Sequence, residues 1–147
     1  MIIRQAVEED FENILRLIKE FSLFQQTPEK VTIDLEQMKA QKDLFKCLVA
    51  ESANGDIIGF ASFYYAYYSW SGKAMYLDDL YVMESHRKQS VGKKLLDAVI
   101  NLAKQEQCKK VRWQVSGWNS NAIAFYKKMG ANIDSTEINC DLVLTGH

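Results

Sequence analysis

Apolar positions recur along this chain with two different spacings, and the two occur in separate blocks. From Asp10 onward, Phe11, Ile14, Leu15, Ile18 and Phe21 fall three or four apart, which lines one face of a helix. Glu8, Glu9 and Asp10 precede it, where negative charge suits a helix N-terminus. A shorter helix is expected over Leu35–Ala40. Val91, Leu95, Leu96, Val99 and Leu102 repeat the helical spacing, with Lys93, Lys94, Asp97, Asn101 and Lys104 toward water. A further helix over 119–129 ends at Gly130, a residue type suited to the left-handed C-cap. Strands are predicted over Ile2–Gln5, 45–51, Ile57–Tyr68, 75–82, 110–115 and 138–144. Asn54-Gly55 between the second and third is a strong hairpin signal, and Ser71-Gly72 makes the next turn. Pro28, the only proline, separates the first two helices rather than two domains. The order β-α-α-β-β-β-α-β-α-β describes an α/β fold, a mixed and mostly antiparallel sheet with helices on both faces.

Composition narrows the function without naming it. At 147 residues, 48% hydrophobic and 25% charged, the chain is expected to form a single domain over 1–147. Eighteen basic residues against nineteen acidic ones leave a net charge of −1, so no basic field points to a nucleic-acid partner. No apolar run approaches the ~20 residues that span a bilayer, and the first residues read as a strand rather than a signal peptide. The expected address is the cytoplasm, with no membrane partner. Cys47, Cys108 and Cys140 have neither the number nor the spacing of a disulfide framework, and with only His86 and His147 no metal site is expected. A Ser-His-Asp triad would have to use His86, which sits beside Arg87 and Lys88 with no G-x-S-x-G anywhere.

Three segments could carry chemistry. Tyr76-Leu77-Asp78-Asp79-Leu80-Tyr81-Val82 sets two adjacent carboxylates in an apolar strand, where neighbours point to opposite faces and an unpaired buried carboxylate is costly. His86-Arg87-Lys88-Gln89-Ser90-Val91-Gly92-Lys93 joins that strand to a helix, whose first backbone N–H groups would face an anion. The third runs from Trp118-Asn119 to Met129-Gly130-Ala131. Taken singly, each has an ordinary structural reading: a solvated strand end, a solvated helix start, a core aromatic at Tyr126. Their order and spacing in one short chain say more.

That combination resembles the GNAT superfamily of acetyl-CoA-dependent N-acetyltransferases over essentially the whole chain. Leu15-Arg16-Leu17-Ile18-Lys19-Glu20, Ser69-Trp70-Ser71-Gly72-Lys73, Tyr76-Leu77-Asp78-Asp79 and Trp118-Asn119 to Ala131 resemble the diamine (spermidine/spermine) acetyltransferases in particular. The resemblance implies a V-shaped splay between the strands at 76–82 and 110–115, with the pantetheine arm of acetyl-CoA pairing along Leu80, Tyr81 and Val82. The diphosphate would rest on Lys88, Gln89, Ser90, Val91, Gly92 and Lys93, beside Arg87. Asn119 would hydrogen-bond the pantetheine arm, with Ala122 packing nearby. The family loop has Arg/Gln-x-x-Gly-x-Gly/Ala, often with another glycine after the Arg. Here Ser90 and Lys88 replace those two glycines.

The resemblance also assigns roles in N-acetylation. An alkylammonium with a pKa near ~10.4 must lose a proton before it attacks the thioester. Asp78 is the first choice as acceptor and Asp79 the second. Asp is shorter than the Glu more often found at the first position, which favours a water relay. Tyr126 would protonate the leaving thiolate, and the Tyr81 amide would polarise the carbonyl. Trp70, Asp78, Asp79 and Gln114 are the expected amine-site residues, with the tyrosines before Trp70 offering further aromatic faces. Gln25 and Tyr68 stand where the polyamine enzymes carry acids, so a short diamine or a thialysine-like amino acid fits as well as spermidine. The alternatives are a protein N-terminal or lysine acetyltransferase and a coenzyme-binding module with little catalysis. The resemblance implies a homodimer as well.

Overall fold

The computed structural model describes residues 1–144, which group into two compact units, Met1–Trp113 and the residues from Gln114 onward. The first unit holds, in chain order, β1 (Ile2–Gln5), α1 (Phe11–Phe24), α2 (Leu35–Ala40), β2 (Lys46–Glu51), β3 (Ile57–Tyr68), β4 (Gly72–Val82), α3 (Val91–Gln105) and β5 (Val111–Arg112). Its five strands lie in the order β1-β2-β3-β4-β5. All pairs are antiparallel except β4 with β5, which is parallel. The second unit holds α4 (Ser120–Lys128).

Alternation along the strands sorts the core into two layers. Cys47, Val49, Ile57, Phe60 and Tyr81 pack with Phe11, Ile14, Leu15 and Leu17 of α1 and with Met38 of α2. Leu48, Ala50 and Ile58 alternate with that set and turn to the other face, where α3 buries Val91, Leu95, Leu96, Val99 and Ala103. Gly59 allows the close approach there: a Cβ at this position would meet the Tyr81 carbonyl oxygen at 3.0 Å and Leu95 Cδ1 at 3.2 Å. Asp10, at the start of α1, takes both Arg4 guanidinium nitrogens at 2.7 and 2.9 Å, and accepts from the Val7 amide at 2.8 Å. The Arg4 hydrogen bonds hold its carboxyl below the usual carboxylate range.

Two sequence expectations are corrected. The strand expected over 110–115 is only Val111–Arg112, and 138–144 form no strand. Ile138, Cys140, Leu142 and Leu144 do alternate, but alternation makes a strand only where a neighbour takes the N–H and C=O groups. Among the described residues no strand pairs with 138–144, and Ile138, Leu142 and Leu144 are exposed. Among the described residues, no helix is long and apolar enough to cross a membrane.

Candidate functional site

The pairing of β3 with β4 is interrupted once. Ser62 opposes Asp79 and Phe63 opposes Leu77, so Asp78 is an extra residue with no partner across the ladder. Ser62, a buried polar residue, marks the spot: its hydroxyl accepts from the Asp79 amide at 3.2 Å. The bulge reverses the alternation of β4. Leu77 shares the α3 face with its partner Phe63, whereas Asp79 and Tyr81 share the α1 face with Ser62 and Phe60.

The same bulge decides which backbone groups β4 leaves on its outer edge. The Asp79 amide points toward β3, and the Met83 amide donates to the Ile58 carbonyl at 2.8 Å. Alternation between these points turns the Tyr81 amide toward β3, and the N–H and C=O of Leu80 and Val82 to the opposite edge. On that edge the ladder to β5 stops at Tyr76↔Arg112, so Leu77 to Val82 have no strand partner there among the described residues. The Tyr81 amide, expected to polarise the carbonyl, thus faces β3, and the Leu80 amide faces the outer edge.

Asp79 takes the α1 face, and the bulge sets Asp78 next to it with no partner across the ladder. Asp78 acts on the phenols of Tyr64 and Tyr76, whose rings stack at 5.0 Å on the face that carries Asp79. Burial, and then the charge of Asp78, push the Asp79 carboxyl up to about 6. Desolvation raises Asp78 as well. Farther along, Tyr68 lies beneath two cations, Lys110 at 4.7 Å and Arg112 at 4.6 Å. The bulge thus sets two adjacent carboxylates near stacked aromatic rings, an arrangement suited to a primary ammonium group.

The loop leading into α3 carries strain where its side chains differ from glycine. Lys88 and Ser90 have φ of 69° and 62°, the left-handed region, which costs a residue with a Cβ about 1–2 kcal/mol. Ser90 stands at the N-cap of α3 yet makes no side-chain cap. A Cβ on Gly92 would meet only Val82 Cγ2, at 3.7 Å, so packing within the chain does not demand glycine there. Val91 is buried and offers only its backbone. Lys93 pairs with Asp97 at 2.8 Å, and Arg87 Nε donates to the Val82 carbonyl at 3.1 Å. In the second unit, Asn119 Oδ1 caps α4 by accepting from the Ala122 amide at 3.1 Å, and Gln114 Nε2 donates to Asn139 Oδ1 at 3.0 Å. Burial raises the Tyr126 phenol.

The profile of the acetyltransferase (GNAT) family matches residues 8–131. The chain belongs to the GNAT family. It is 36% identical to the thialysine N-epsilon-acetyltransferase of Bos taurus over 148 aligned positions, covering 93% of this chain and 86% of that protein. It is 32% identical to the spermidine/spermine N(1)-acetyltransferase-like protein 1 of Homo sapiens over 88% of this chain, a stretch that makes up 20% of that longer protein. A solved structure of a probable acetyltransferase shares the fold, with TM-score 0.80, 23% identity and full coverage of both chains. This GNAT acetyltransferase thus has the α/β architecture expected of it, and its family uses acetyl-CoA as donor.

Of the residues expected at the site, the first unit brings Asp78, Asp79, Leu80, Tyr81 and Val82 onto one stretch of β4, with Arg87 reaching back to it. It does not bring Trp70 there. Trp70 is fully exposed at the β3–β4 turn, about 20 Å from the carboxylates at about 3.3 Å per strand residue. Tyr76 lies in the first of the three segments but has no role assigned from sequence, and Ser62 lies outside all three. The adjacent Asp78-Asp79 pair, which breaks the apolar alternation, was the available sign of a bulge. Among the described residues, no group of three or more His, Cys, Asp or Glu is placed to hold a metal ion.

Proposed function

We propose that this acetyltransferase transfers the acetyl group of acetyl-CoA to the terminal primary amine of a small molecule, a thialysine-like amino acid or short diamine. The observation that carries the acceptor class is the Asp78–Asp79 pair against the stacked rings of Tyr64 and Tyr76. Similarity to the thialysine enzyme over most of both chains supports the same class. Without acids at Gln25 and Tyr68, a long polycation has fewer anchors, and Tyr68 already faces two cations.

The donor fits the residues present. The outward N–H and C=O groups of Leu80 and Val82 match the amides of a pantetheine arm. Two left-handed residues, Lys88 and Ser90, keep the backbone N–H groups of 88–93 turned toward a diphosphate at the start of α3, where the helix dipole is positive. Arg87 and Lys88 add positive charge. In the reaction, Asp78 takes a proton from the ammonium through a water, and the neutral amine attacks the thioester carbon. The Leu80 amide stabilises the developing oxyanion, the C–S bond breaks, and Tyr126 protonates the departing thiolate. Asp79 anchors the cation, and Asn119 and Ala122 hold the coenzyme arm. The roles of Asn119, Ala122, Tyr126 and Gln114 rest on family resemblance. The reading extends on the same basis to one acetyltransferase domain over 1–147, acting in the cytoplasm as a homodimer.

The test incubates the protein with acetyl-CoA and a panel of thialysine, ornithine, putrescine, spermidine and a lysine-bearing peptide, following product mass. Faster acetylation of thialysine or ornithine than of spermidine or the peptide is expected. Preference for the peptide would replace the small-molecule reading. Coenzyme binding with no amine acetylated would leave a binding module.

A further inference from the structure

The last turns of α1 reach the site through contacts that the donor reading does not use. The Tyr81 hydroxyl donates to Glu20 Oε2 at 2.6 Å, and the Phe21 ring stacks on the Tyr81 ring at 4.9 Å with an interplanar angle of 20°. The Arg87 guanidinium lies over the same Tyr81 ring at 5.3 Å and over Phe24 at 4.7 Å. From that position Arg87 Nε donates to the Val82 carbonyl at 3.1 Å. A continuous set of contacts therefore runs from Glu20 through the Tyr81 ring to the guanidinium of the diphosphate loop. It ends on a peptide group at the outer edge of β4.

We infer that Glu20 is a positioning residue for the donor: by accepting the Tyr81 hydroxyl it fixes the ring against which Arg87 lies, and so holds Arg87 at the edge where acetyl-CoA binds. The inference rests on the donor reading above. The geometry favours this over a role in packing alone. Phe21 already covers the Tyr81 ring with apolar surface, so orienting the phenol needs no carboxylate unless the ring's rotation and tilt matter. A hydrogen bond to a charged acceptor is short and directional, and it restricts both. Arg87 binds the ring face, so tilting the ring moves the guanidinium. Its attraction to the face of an aromatic ring falls off with distance and angle. Removing either partner of the Glu20–Tyr81 bond should therefore loosen Arg87 while leaving the stacked rings of Tyr64 and Tyr76, farther along β4 beyond the bulge, in place.

The test measures coenzyme A affinity by titration calorimetry, together with KM for acetyl-CoA and for the amine, in wild type, Glu20→Ala, Glu20→Gln, Tyr81→Phe and the Glu20→Ala/Tyr81→Phe double variant. Each of Glu20→Ala and Tyr81→Phe is expected to weaken coenzyme A binding about tenfold, the scale of one lost hydrogen bond to a charged group. The double variant should bind no more weakly than Tyr81→Phe alone, which removes the hydroxyl's bond to Glu20 and its interaction with Arg87 together. Glu20→Gln, which keeps an acceptor oxygen, should bind within about threefold of wild type, and amine KM should stay put throughout. A purely structural role would lower the melting temperature and leave the split between the two KM values unmoved, which overturns the inference. Equal loss in Glu20→Gln and Glu20→Ala also overturns it. A wild-type protein that does not bind coenzyme A overturns the donor reading and this inference together. Binding by wild type, matched by both single variants, overturns the inference alone.

Discussion

The two halves of β4 have opposite relations to the sheet. From Gly72 to Leu77 the strand keeps a regular register with β3 and, at Met75 and Tyr76, pairs with β5 on its other edge. Its apolar side chains there, Ala74, Met75 and Leu77, are buried. From Asp78 to Val82 the register has slipped by one residue, two carboxylates stand together and the ladder to β5 has ended. One half is saturated by its own fold, while the other turns backbone groups and charge outward. The lesson is that one inserted residue can make a binding edge from an ordinary strand, because the slip changes both which face each side chain takes and which way each amide points.

The outward half of β4 depends most on Asp78. Asp78→Asn keeps the bulge and removes the proton acceptor, so turnover at pH 7 should fall by at least about tenfold, within the range of general-base catalysis. Steady-state kinetics with the preferred amine measure it. A variant at full rate excludes Asp78 from proton transfer and moves the role to Asp79.

A smaller effect, on stability, separates Asp79 from the regular half. Its carboxyl is raised from the ordinary 3.8 to about 6, so folding disfavours the ionised form. Below the unfolded value both states are protonated and nothing is lost. As pH rises through about 4 to 6 the folded protein loses stability, and above that the loss is constant. Asp79→Asn should therefore melt higher than wild type at pH 7.5, by about 2–4 °C for about 1 kcal/mol, with the gap closing toward pH 4. Thermal scans across that range check the sign. A variant that melts lower at every pH would mean that the carboxylate is stabilising.

Smaller still is the effect in the loop that follows. Ser90 has φ of 62° and does not cap α3 with its side chain, so Ser90→Gly loses no cap and relieves left-handed strain. It should gain about 0.5–1 kcal/mol in stability and bind coenzyme A more tightly. Chemical denaturation and calorimetry read the two separately. Unchanged or weaker coenzyme binding would show that the hydroxyl contributes a contact of its own.

The regular half of β4, and the elements like it, could be read from residue spacing. Phe11, Ile14 and Leu15 marked α1, Val91 to Leu102 marked α3, and Asn54-Gly55 marked the β2–β3 turn, because each is a local pattern with a local cause. The bulge had no such pattern. Leu77 and Tyr81 are four apart, which a regular strand puts on one face, and only the side-by-side carboxylates hinted otherwise. The loop shows the converse. Lys88 and Ser90 stand where the resemblance expects glycines, and both keep a left-handed backbone that their side chains do not advertise. Trp70 reads from sequence as an aromatic on a turn, but distance along the hairpin is a property of the pairing. The strand expected over 138–144 failed for the same kind of reason, since alternation cannot supply a neighbour.

The division of β4 is tested most directly by the amide NMR signals of Leu80, Tyr81 and Val82, followed for shift and exchange protection as coenzyme A is added. Leu80 and Val82, whose amides face the outer edge, should shift and become protected on binding. The Tyr81 amide, already turned to β3, should hardly change. Coenzyme binding that shifts all three alike, or none of them, would contradict the placement of the donor along this edge.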